Sequence, residues 1–302
     1  MLRVGTRGSK LALAQTRLVT AAIQTLDASL SIEEVVAAAP ASAIMAKSRY
    51  VSSIEEQLRA DEIDLGVHSA KDVPGEEAPG LLIAAVPARA ARHDVLLGAS
   101  SLGDLDEGST VGTSSLRRAA QLLAARPDLN VKALRGNIDT RIGRLEDGDY
   151  AAIVLAAAGL ERLGVGDEIV HGPLGFITAP GQGCLALQVR DIDLATTSLI
   201  GPLSDPSSQR ELIAERAAAA GLVASCDTPL GINAVVEPGT GADGKDKITV
   251  RGWLGLPDGS RFVEDAVSGL ASEAHLLGHL LAQRMRGEGG DEILARAEEM
   301  AA

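Results

Sequence analysis

The sequence is short of cysteine, of aromatic residues and of long apolar runs. Two cysteines in 302 residues are too few for a disulfide scaffold and lack the spacing of a metal site, which the five scattered histidines do not complete. Aromatic residues make up only 2%, so the cores must be built from alanine, valine, leucine and isoleucine. The best candidate for a membrane helix, residues 151–160, is well below the ~18 apolar residues that a span needs. No signal-peptide core is visible near the N-terminus, and we therefore expect a cytoplasmic protein that contacts no membrane.

The charge is acidic overall but unevenly distributed. A formal net charge of −13 argues against nucleic acid as a partner, because phosphate binding needs a basic face. Residues 112–144 nevertheless contain a basic cluster with only two acids, Asp128 and Asp139. The basic members are Arg117, Arg118, Arg126, Lys132, Arg135, Arg141 and Arg144. An arginine cluster in an acidic protein favours a small anionic ligand.

The first 200 residues alternate short β-type runs with amphipathic helical stretches. This alternation predicts an α/β fold built from parallel βαβ units, in which ligands bind at the carboxyl ends of strands and at helix N-termini. A different pattern begins near Gly201: a strong helix over 206–222, three strand-like runs separated by turns, and a closing helix over 272–286 followed by an acidic tail. This last block predicts a small α+β domain with an antiparallel sheet.

Two segments place polar groups at the ends of predicted strands. Residues 5–15 (GTRGSKLALAQ) put Arg7 and Ser9 between a strand and a helix, where free backbone N–H groups favour an anion. The alternative is an ordinary helix cap by Ser9, with Arg7 solvated. Residues 67–75 (VHSAKDVPG) make His68 and Asp72 project from a strand end, where active sites concentrate, although Lys71 beside Asp72 could equally be a solvated pair.

Two further segments place arginines at helix starts. In residues 112–122 (GTSSLRRAAQL), Arg117 and Arg118 fall in the first turn of a helix and oppose its macrodipole by about 0.3–1 kcal/mol each. An anion between the helix end and the arginines would explain that cost, so the pattern favours a ligand. Residues 134–145 (LRGNIDTRIGRL) repeat the arrangement with Arg135 and Arg141.

The two cysteines differ in their surroundings. Cys184 precedes an apolar run, which predicts a buried structural thiol. Cys226 lies in ASCDTPLG, a polar loop between a helix and a Pro-Gly turn, where a thiol is more accessible. Position alone leaves open whether Cys226 is functional.

These motifs, in this order, resemble the porphobilinogen deaminase family over about residues 3–235; the match continues through LAAAGLERLG, APGQGCLAL and SCDTPLG. The resemblance implies an α/β fold with two periplasmic-binding-protein-like lobes of mixed sheets and a small α+β C-terminal domain. It implies a discontinuous domain 1 over residues 1–88 and 182–201, a domain 2 over 89–181 and a domain 3 over 202–302.

The same resemblance implies an activity. Four porphobilinogen molecules would be joined head to tail, with loss of ammonia, on a covalently bound dipyrromethane. Hydrolysis would then release linear hydroxymethylbilane. The resemblance also implies that the enzyme is cytoplasmic and monomeric. By its motif Cys226, and not Cys184, would form the thioether to the dipyrromethane. Asp72 matches the catalytic carboxylate, which would stabilise the positive charge that develops as ammonia leaves and would shuttle protons.

The resemblance also assigns polar side chains to carboxylate-bearing pyrroles. Those expected to hold the cofactor are Ser69, Lys71, Thr113, Ser115, Arg117 and Arg118. Those expected to bind the substrate or the growing chain are Arg7, Ser9, Gln15, Lys47, Arg135, Arg141, Arg162, Gln182 and Arg190. No metal ligand is implied. Three segments depart from the family pattern: residues 45–51 (MAKSRYV) lack the usual glycines, Ala224-Ser225 precedes the cysteine in place of two glycines, and the helix 215–222 (ERAAAAGL) lacks the usual bulky residues.

Two other classes of protein share parts of this pattern. A solute-binding protein could have the two-lobed architecture, but it would normally be exported and would need neither Cys226 nor Asp72. A phosphate-handling transferase would need a P-loop or a GxGxxG turn between strand and helix, and neither is present. The sequence therefore favours the deaminase.

Overall fold

A computed structural model describes residues 1–37, 46–75, 78–222 and 228–301. Its contacts divide the chain into two units, Met1–Ala90 with Gly183–Gln209, and Ala91–Gln182 with Arg210–Ala302. None of the described helices combines the length and the apolarity needed to span a membrane. The three-domain boundaries expected from the resemblance stay a prediction.

The strands and helices are numbered separately along the chain. The strands are β1 (Leu2–Thr6), β2 (Ile32–Val36), β3 (Leu65–Ser69), β4 (Leu81–Ala85), β5 (Asp94–Leu97), β6 (Thr110–Gly112), β7 (Asn130–Lys132), β8 (Ala152–Ala156), β9 (His171–Leu174), β10 (Leu185–Arg190), β11 (Leu230–Glu237), β12 (Lys247–Gly255) and β13 (Phe262–Leu270). The helices are α1 (Lys10–Leu26), α2 (Ala46–Arg59), α3 (Leu116–Ala125), α4 (Ile138–Glu146), α5 (Ala157–Leu163), α6 (Leu194–Ile200), α7 (Pro206–Gly221), α8 (Ala274–Met285) and α9 (Asp291–Ala301).

The first unit is built on a five-stranded sheet of order β2-β1-β3-β10-β4. Strand β1 runs parallel to β2 and β3, whereas β10 is antiparallel to β3 and β4. Its core contains Val4, Ile23, Leu65 and Leu187, all essentially buried. Because β1 and β3 are parallel neighbours, the segments that follow them begin at the same edge of the sheet.

The second unit contains a five-stranded sheet of order β7-β6-β8-β5-β9. Strand β6 is parallel to β7 and β8, and β5 is antiparallel to β8 and β9. The central strand β8 is an unbroken apolar run, as expected for a strand covered on both faces. The carboxyl end of β6 leads directly into α3, which carries the paired arginines.

The same unit contains a three-stranded antiparallel sheet, β11-β12-β13, whose core includes residues of α7 and α8. The two helices come very close: a Cβ on Gly278 of α8 would lie 2.3 Å from the carbonyl oxygen of Ala214 on α7. This approach explains why α7 is rich in alanine, because bulkier residues would separate the helices. The expected α/β fold, with mixed sheets and a small α+β C-terminal region, is confirmed.

The chain after residue 290 differs from the expected acidic tail. It forms α9, and Ile293 and Ala297 are both about 1% exposed. Their i, i+4 spacing puts both on one helix face, which packs into the core of the C-terminal sheet. The expectation of an acidic tail is wrong, because the many acidic residues around these two positions made the short apolar face of the helix hard to recognise in the sequence.

Trp253 of β12 joins the small sheet to α3 within the second unit. It is 3% exposed and packs in a cluster with Ala120 and Ile177. Its ring also stacks on Phe262 with centroids 5.5 Å apart. Trp253 is the single tryptophan of the sequence, so the largest aromatic side chain of the protein is buried at this contact.

Replacement of Trp253 by alanine should lower the free energy of unfolding by about 3–5 kcal/mol, because a large buried ring is removed. Urea unfolding followed by circular dichroism would measure the change. Leu276→Ala is the matched control, since Leu276 is 67% exposed and should change stability by less than about 0.5 kcal/mol. Equal losses in the two variants would contradict the assignment.

Candidate active site

The turn after β1 is fixed by a helix cap. The side chain of Ser9 accepts a hydrogen bond from the backbone N–H of Ala12 (3.2 Å) and begins α1. The capping alternative for Ser9 is therefore what the structure shows, and its binding role stays a prediction. Arg7, two residues earlier, is not simply solvated, because its guanidinium contacts a carboxylate of the neighbouring loop.

That carboxylate belongs to Asp72. Asp72 ends a single 3-10 turn, Ala70–Asp72, which follows β3 and is fastened by a hydrogen bond from the Ala70 N–H to the Cys184 carbonyl (3.0 Å). Arg7 Nη1 lies 3.3 Å from Asp72 Oδ2, with the two side chains 30% and 12% exposed. Lys71 is exposed on the same turn. The structure thus pairs Asp72 with an arginine 65 positions away, at the sheet edge where β1 and β3 both end.

A second contact joins the same two segments. Gln15 Nε2 of α1 donates to Ser69 Oγ at the end of β3 (2.9 Å), and Gln15 is 4% exposed. Gln15, Ser69, Arg7 and Asp72 are therefore brought together in the first unit. The expectation that His68 projects from the strand end is wrong, because His68 lies within β3 and is buried.

Arg117 and Arg118 are both held by Asp94, the first residue of β5. Arg117 Nη1 lies 2.8 Å from Asp94 Oδ2, and Arg118 donates from Nε and Nη2 to Asp94 Oδ1 (3.0 and 2.6 Å). All three residues are buried. Burial alone would raise the pKa of Asp94, but the charges of Arg118 and Arg117 outweigh it and hold that pKa well below its ordinary value.

Gln182 belongs to the same group. Its Nε2 donates to Asp94 Oδ1 (2.8 Å) and to the Arg92 carbonyl (2.8 Å), and the residue is 1% exposed. Gln182 therefore contacts Asp94 instead of presenting its amide to solvent. Its expected substrate contact stays a prediction.

Positive charge remains in excess around Arg118. The pKa of Arg141 on α4 is lowered by burial and by the charge of Arg118, so the two guanidinium groups lie within electrostatic reach of each other. Arg141 Nε donates to the Gly136 carbonyl (2.8 Å). The buried Nε of Arg117 has no hydrogen-bond partner among the described residues. Asp94 thus supplies one negative charge to its two partners, Arg117 and Arg118, and Arg141 adds a third positive charge near Arg118. An anionic ligand would offset the remaining positive charge.

The start of α3 is ordered by two hydroxyls. Ser115 caps the helix by accepting from the Arg118 N–H (3.4 Å), and Thr113 Oγ1 accepts from the Ser115 N–H (3.2 Å). These bonds leave each hydroxyl hydrogen available as a donor to a ligand. Arg135 is exposed between β7 and α4, and Arg162 lies in the last turn of α5.

Two buried glutamates of α7 hold the elements on either side of residues 223–227. Glu215 accepts from the N–H groups of Ala234 (2.8 Å) and Gly181 (2.6 Å). Glu211 accepts from the Val236 N–H (3.0 Å) and pairs with Arg92 (3.1 Å). Helix α7 and strand β11, the described elements before and after residues 223–227, are therefore tied together. Cys226 itself lies outside the described residues, as does the side chain of Lys47.

Arg190 is not brought together with Asp72. Strand β10 pairs Leu185 with Ser69 and Arg190 with Leu81, which puts Arg190 about 17 Å along the strand from the Ser69 end. Its guanidinium bonds the carbonyls of Leu58 and Ile63 and the carboxylates of Asp61, Asp64 and Asp193.

Asp94 is the buried residue of this site that the sequence motifs did not identify. The available signal was an acid directly before an apolar strand, because a carboxylate in such a position must be paired when it is buried. No cluster of three or more potential metal ligands occurs among the residues that the structure describes.

Two family models match the chain. "Porphobilinogen deaminase, dipyromethane cofactor binding domain" matches residues 2–198, and "Porphobilinogen deaminase, C-terminal domain" matches residues 209–287. The porphobilinogen deaminase of Thermus thermophilus is 45% identical over 97% of this chain and 98% of that protein, and that of Roseiflexus castenholzii is 40% identical over the same shares. Among solved structures, the periplasmic sulfonate-binding protein SsuA of Methylobacillus flagellatus aligns with 74% of this chain and 69% of its own, at 15% identity and a TM-score of 0.39.

Asp94→Asn should lower the free energy of unfolding by about 3–5 kcal/mol, since it leaves buried guanidinium groups without their counter-charge. Because the pKa of Asp94 is depressed, its contribution is complete above pH ~4 and is lost only as the pH falls further. The loss should therefore be the same at about pH 6 and pH 8. Urea unfolding at both values would measure it.

The matched control is Asp128→Asn. Asp128 also pairs with an arginine, Arg126, at 2.6 Å, but both side chains reach solvent, and the loss should be far smaller. An Asp94→Asn variant as stable as this control would contradict the assigned role.

Proposed function

Because the chain belongs to the porphobilinogen deaminase family, we propose a division of roles among its own residues in the hydroxymethylbilane synthase reaction. The chain is a transferase of tetrapyrrole biosynthesis that acts on porphobilinogen, and the family's cofactor is a dipyrromethane attached to a cysteine. When bound, this group supplies the pyrrole to which the first substrate is joined. We propose Cys226 as its point of attachment and residues 202–302 as the domain that carries it.

The excess of guanidinium groups around Asp94 is the observation that supports this proposal most strongly. Dipyrromethane and porphobilinogen both carry acetate and propionate groups, and arginine grips carboxylates through paired hydrogen bonds. Arg117, Arg118 and Arg141 would hold such carboxylates, because Asp94 offsets only part of their charge. Thr113 and Ser115 would donate hydrogen bonds from the start of α3. The residues present therefore fit a polycarboxylate.

Arg135 and Arg162 would extend this binding surface as the chain lengthens. In the first unit, Lys71, Ser69 and Gln15 would supply further hydrogen bonds. Ser9 and Lys47 stay in the proposed set on the strength of the resemblance. We leave Arg190 outside the set because its guanidinium already ties β10 to three aspartates and two carbonyls.

Asp72 would act on the reacting groups. A carboxylate stabilises the positive charge that develops when ammonia leaves the aminomethyl carbon, and it can hold the proton that leaves the attacking pyrrole carbon. Arg7 at 3.3 Å keeps Asp72 oriented. Each condensation is balanced: the pyrrole loses a proton, the departing amine gains one, and one carbon–carbon bond replaces one carbon–nitrogen bond. A cytoplasmic, monomeric enzyme completes the proposal and is supported by the resemblance alone.

The attachment point can be tested by intact mass. The purified wild-type protein should carry extra mass equal to two pyrrole units, and Cys226→Ser should not. Cys184→Ser is the matched control, because Cys184 is 1% exposed and should leave the extra mass in place. A wild-type protein that is unmodified yet active on porphobilinogen would refute the attachment.

The role of Asp72 can be tested by turnover. Asp72→Ala should lower kcat for hydroxymethylbilane formation by at least ~100-fold, because a positioned acid–base group is lost, while the extra mass is still found. Asp191→Asn is the control, since Asp191 is exposed in the same unit. Full activity of Asp72→Ala would remove Asp72 from the mechanism.

A further inference from the structure

His68 is a buried titratable group that the mechanism above does not use. It lies in β3, directly before Ser69, and is 4% exposed. Gly66 is two positions earlier on the same face of the strand. A Cβ on Gly66 would lie 3.0 Å from His68 Nε2 and 2.8 Å from Ile54 Cγ2. The glycine therefore makes the room in which the imidazole sits.

Gln188 lies beside this ring. It is paired with Gly66 in the β3–β10 register, so its side chain shares the face that His68 occupies. Gln188 Nε2 donates to Glu55 Oε1 of α2 (3.2 Å), and both residues are buried. The amide group is thus oriented with its nitrogen towards Glu55 and its oxygen available as an acceptor.

Two buried atoms are left over at this contact. Neither His68 Nε2 nor Gln188 Oε1 has a hydrogen-bond partner of standard geometry among the described residues, although the Gln188 side chain is close enough to raise the pKa of His68. Because an amide oxygen only accepts, a bond between them requires the imidazole proton on Nε2. Nδ1 is then the acceptor nitrogen of the ring.

The charged groups near His68 come from several elements. Burial is the strongest influence and lowers its pKa to about 4; Gln188 and Asp72 act in the opposite direction, and Arg7 adds to the lowering. Glu55 of α2 affects the ring through Gln188, because it accepts the hydrogen bond that orients the Gln188 amide. The ring is therefore neutral at neutral pH and lies within electrostatic reach of both members of the Arg7–Asp72 pair.

We infer that His68 is a positioning residue for Asp72: its imidazole fills the space beside Gly66 at the end of β3, directs its Nε2 proton at the Gln188 amide oxygen, and so holds the strand from which the Ala70–Asp72 turn begins. An imidazolium at this place would compete with Arg7 for the Asp72 carboxylate. The inference rests on the proposed role of Asp72. It also explains why an uncharged polar ring is buried here, where an apolar side chain would avoid the cost of desolvation.

The state of the ring can be measured without turnover. In protein labelled with 15N-histidine, with the His68 signals assigned by their loss in His68→Gln, the ring should be neutral at pH 6, where a histidine of ordinary pKa is roughly three-quarters protonated. Its proton should be on Nε2. Gln188→Leu, which removes the acceptor without touching Asp72, should abolish this single tautomer. A protonated ring at pH 6, or a tautomer unchanged in Gln188→Leu, would overturn the inference.

Turnover gives the second measurement. His68→Gln should lower kcat about tenfold with KM within threefold of the wild type, and Gln188→Leu should lower kcat less. The acid side of the pH profile should lose one protonation step in His68→Gln, which a purely structural role would leave unchanged. His171→Gln, at an exposed histidine of the second unit, should behave as the wild type.

Unchanged kcat and an unchanged pH profile in His68→Gln would overturn the inference. If His68→Gln does not fold, the His68 signals can be assigned by elimination, from the signals lost in single variants of the other four histidines, and the 15N shifts of the wild type and of Gln188→Leu still decide it. A fully active Asp72→Ala variant would instead refute the proposed function itself, and the two failures are therefore distinguishable.

Discussion

The arrangement of the second unit depends on the buried carboxylate of Asp94. Two buried guanidinium groups are tolerated there because one carboxylate lies between them and Gln182 completes its hydrogen bonds. Gly181, the neighbour of Gln182, is bonded by Glu215 of α7. Two consecutive residues thus connect the arginines to the helix that precedes the segment with Cys226. Gly181 and Gln182 therefore support both the arginines that are proposed to hold the cofactor's carboxylates and the helix next to its proposed attachment point.

The ion pair of the first unit has a different character. Arg7 and Asp72 are partly exposed and meet at 3.3 Å, so separating them costs far less than separating Asp94 from its arginines. A group that must take part in repeated condensations benefits from a partner that can be exchanged for substrate. The buried pairing of Asp94 with its arginines lies where binding is proposed. The more exposed Arg7–Asp72 pair lies where the reaction is proposed.

Local signals in the sequence identified most of the elements. The alternation of strands and helices, the cap at Ser9 and the burial of Cys184 all depend on neighbours within a few positions, which a single sequence displays. The partner of Arg118 is 24 positions away and that of Arg7 is 65. Such pairings depend on which strands are adjacent, and β5 and β10 join their sheets antiparallel, against the simple βαβ pattern. The anionic ligand that the arginines predicted stays a prediction, and the anion that the structure shows beside them is the carboxylate of Asp94.

The close approach of α7 and α8 has a consequence for how substitutions in this chain would be felt in a cell. At Gly278 one added methyl group would overlap the backbone of the opposite helix, far in sequence from any residue proposed to bind or react. Such a change acts on the fraction of molecules that reach and keep the folded state, which cellular proteases and chaperones monitor. Its phenotype would be a lower abundance of enzyme with unaltered activity per molecule, so a count of catalytic residues alone would underestimate how much of this sequence is under selection.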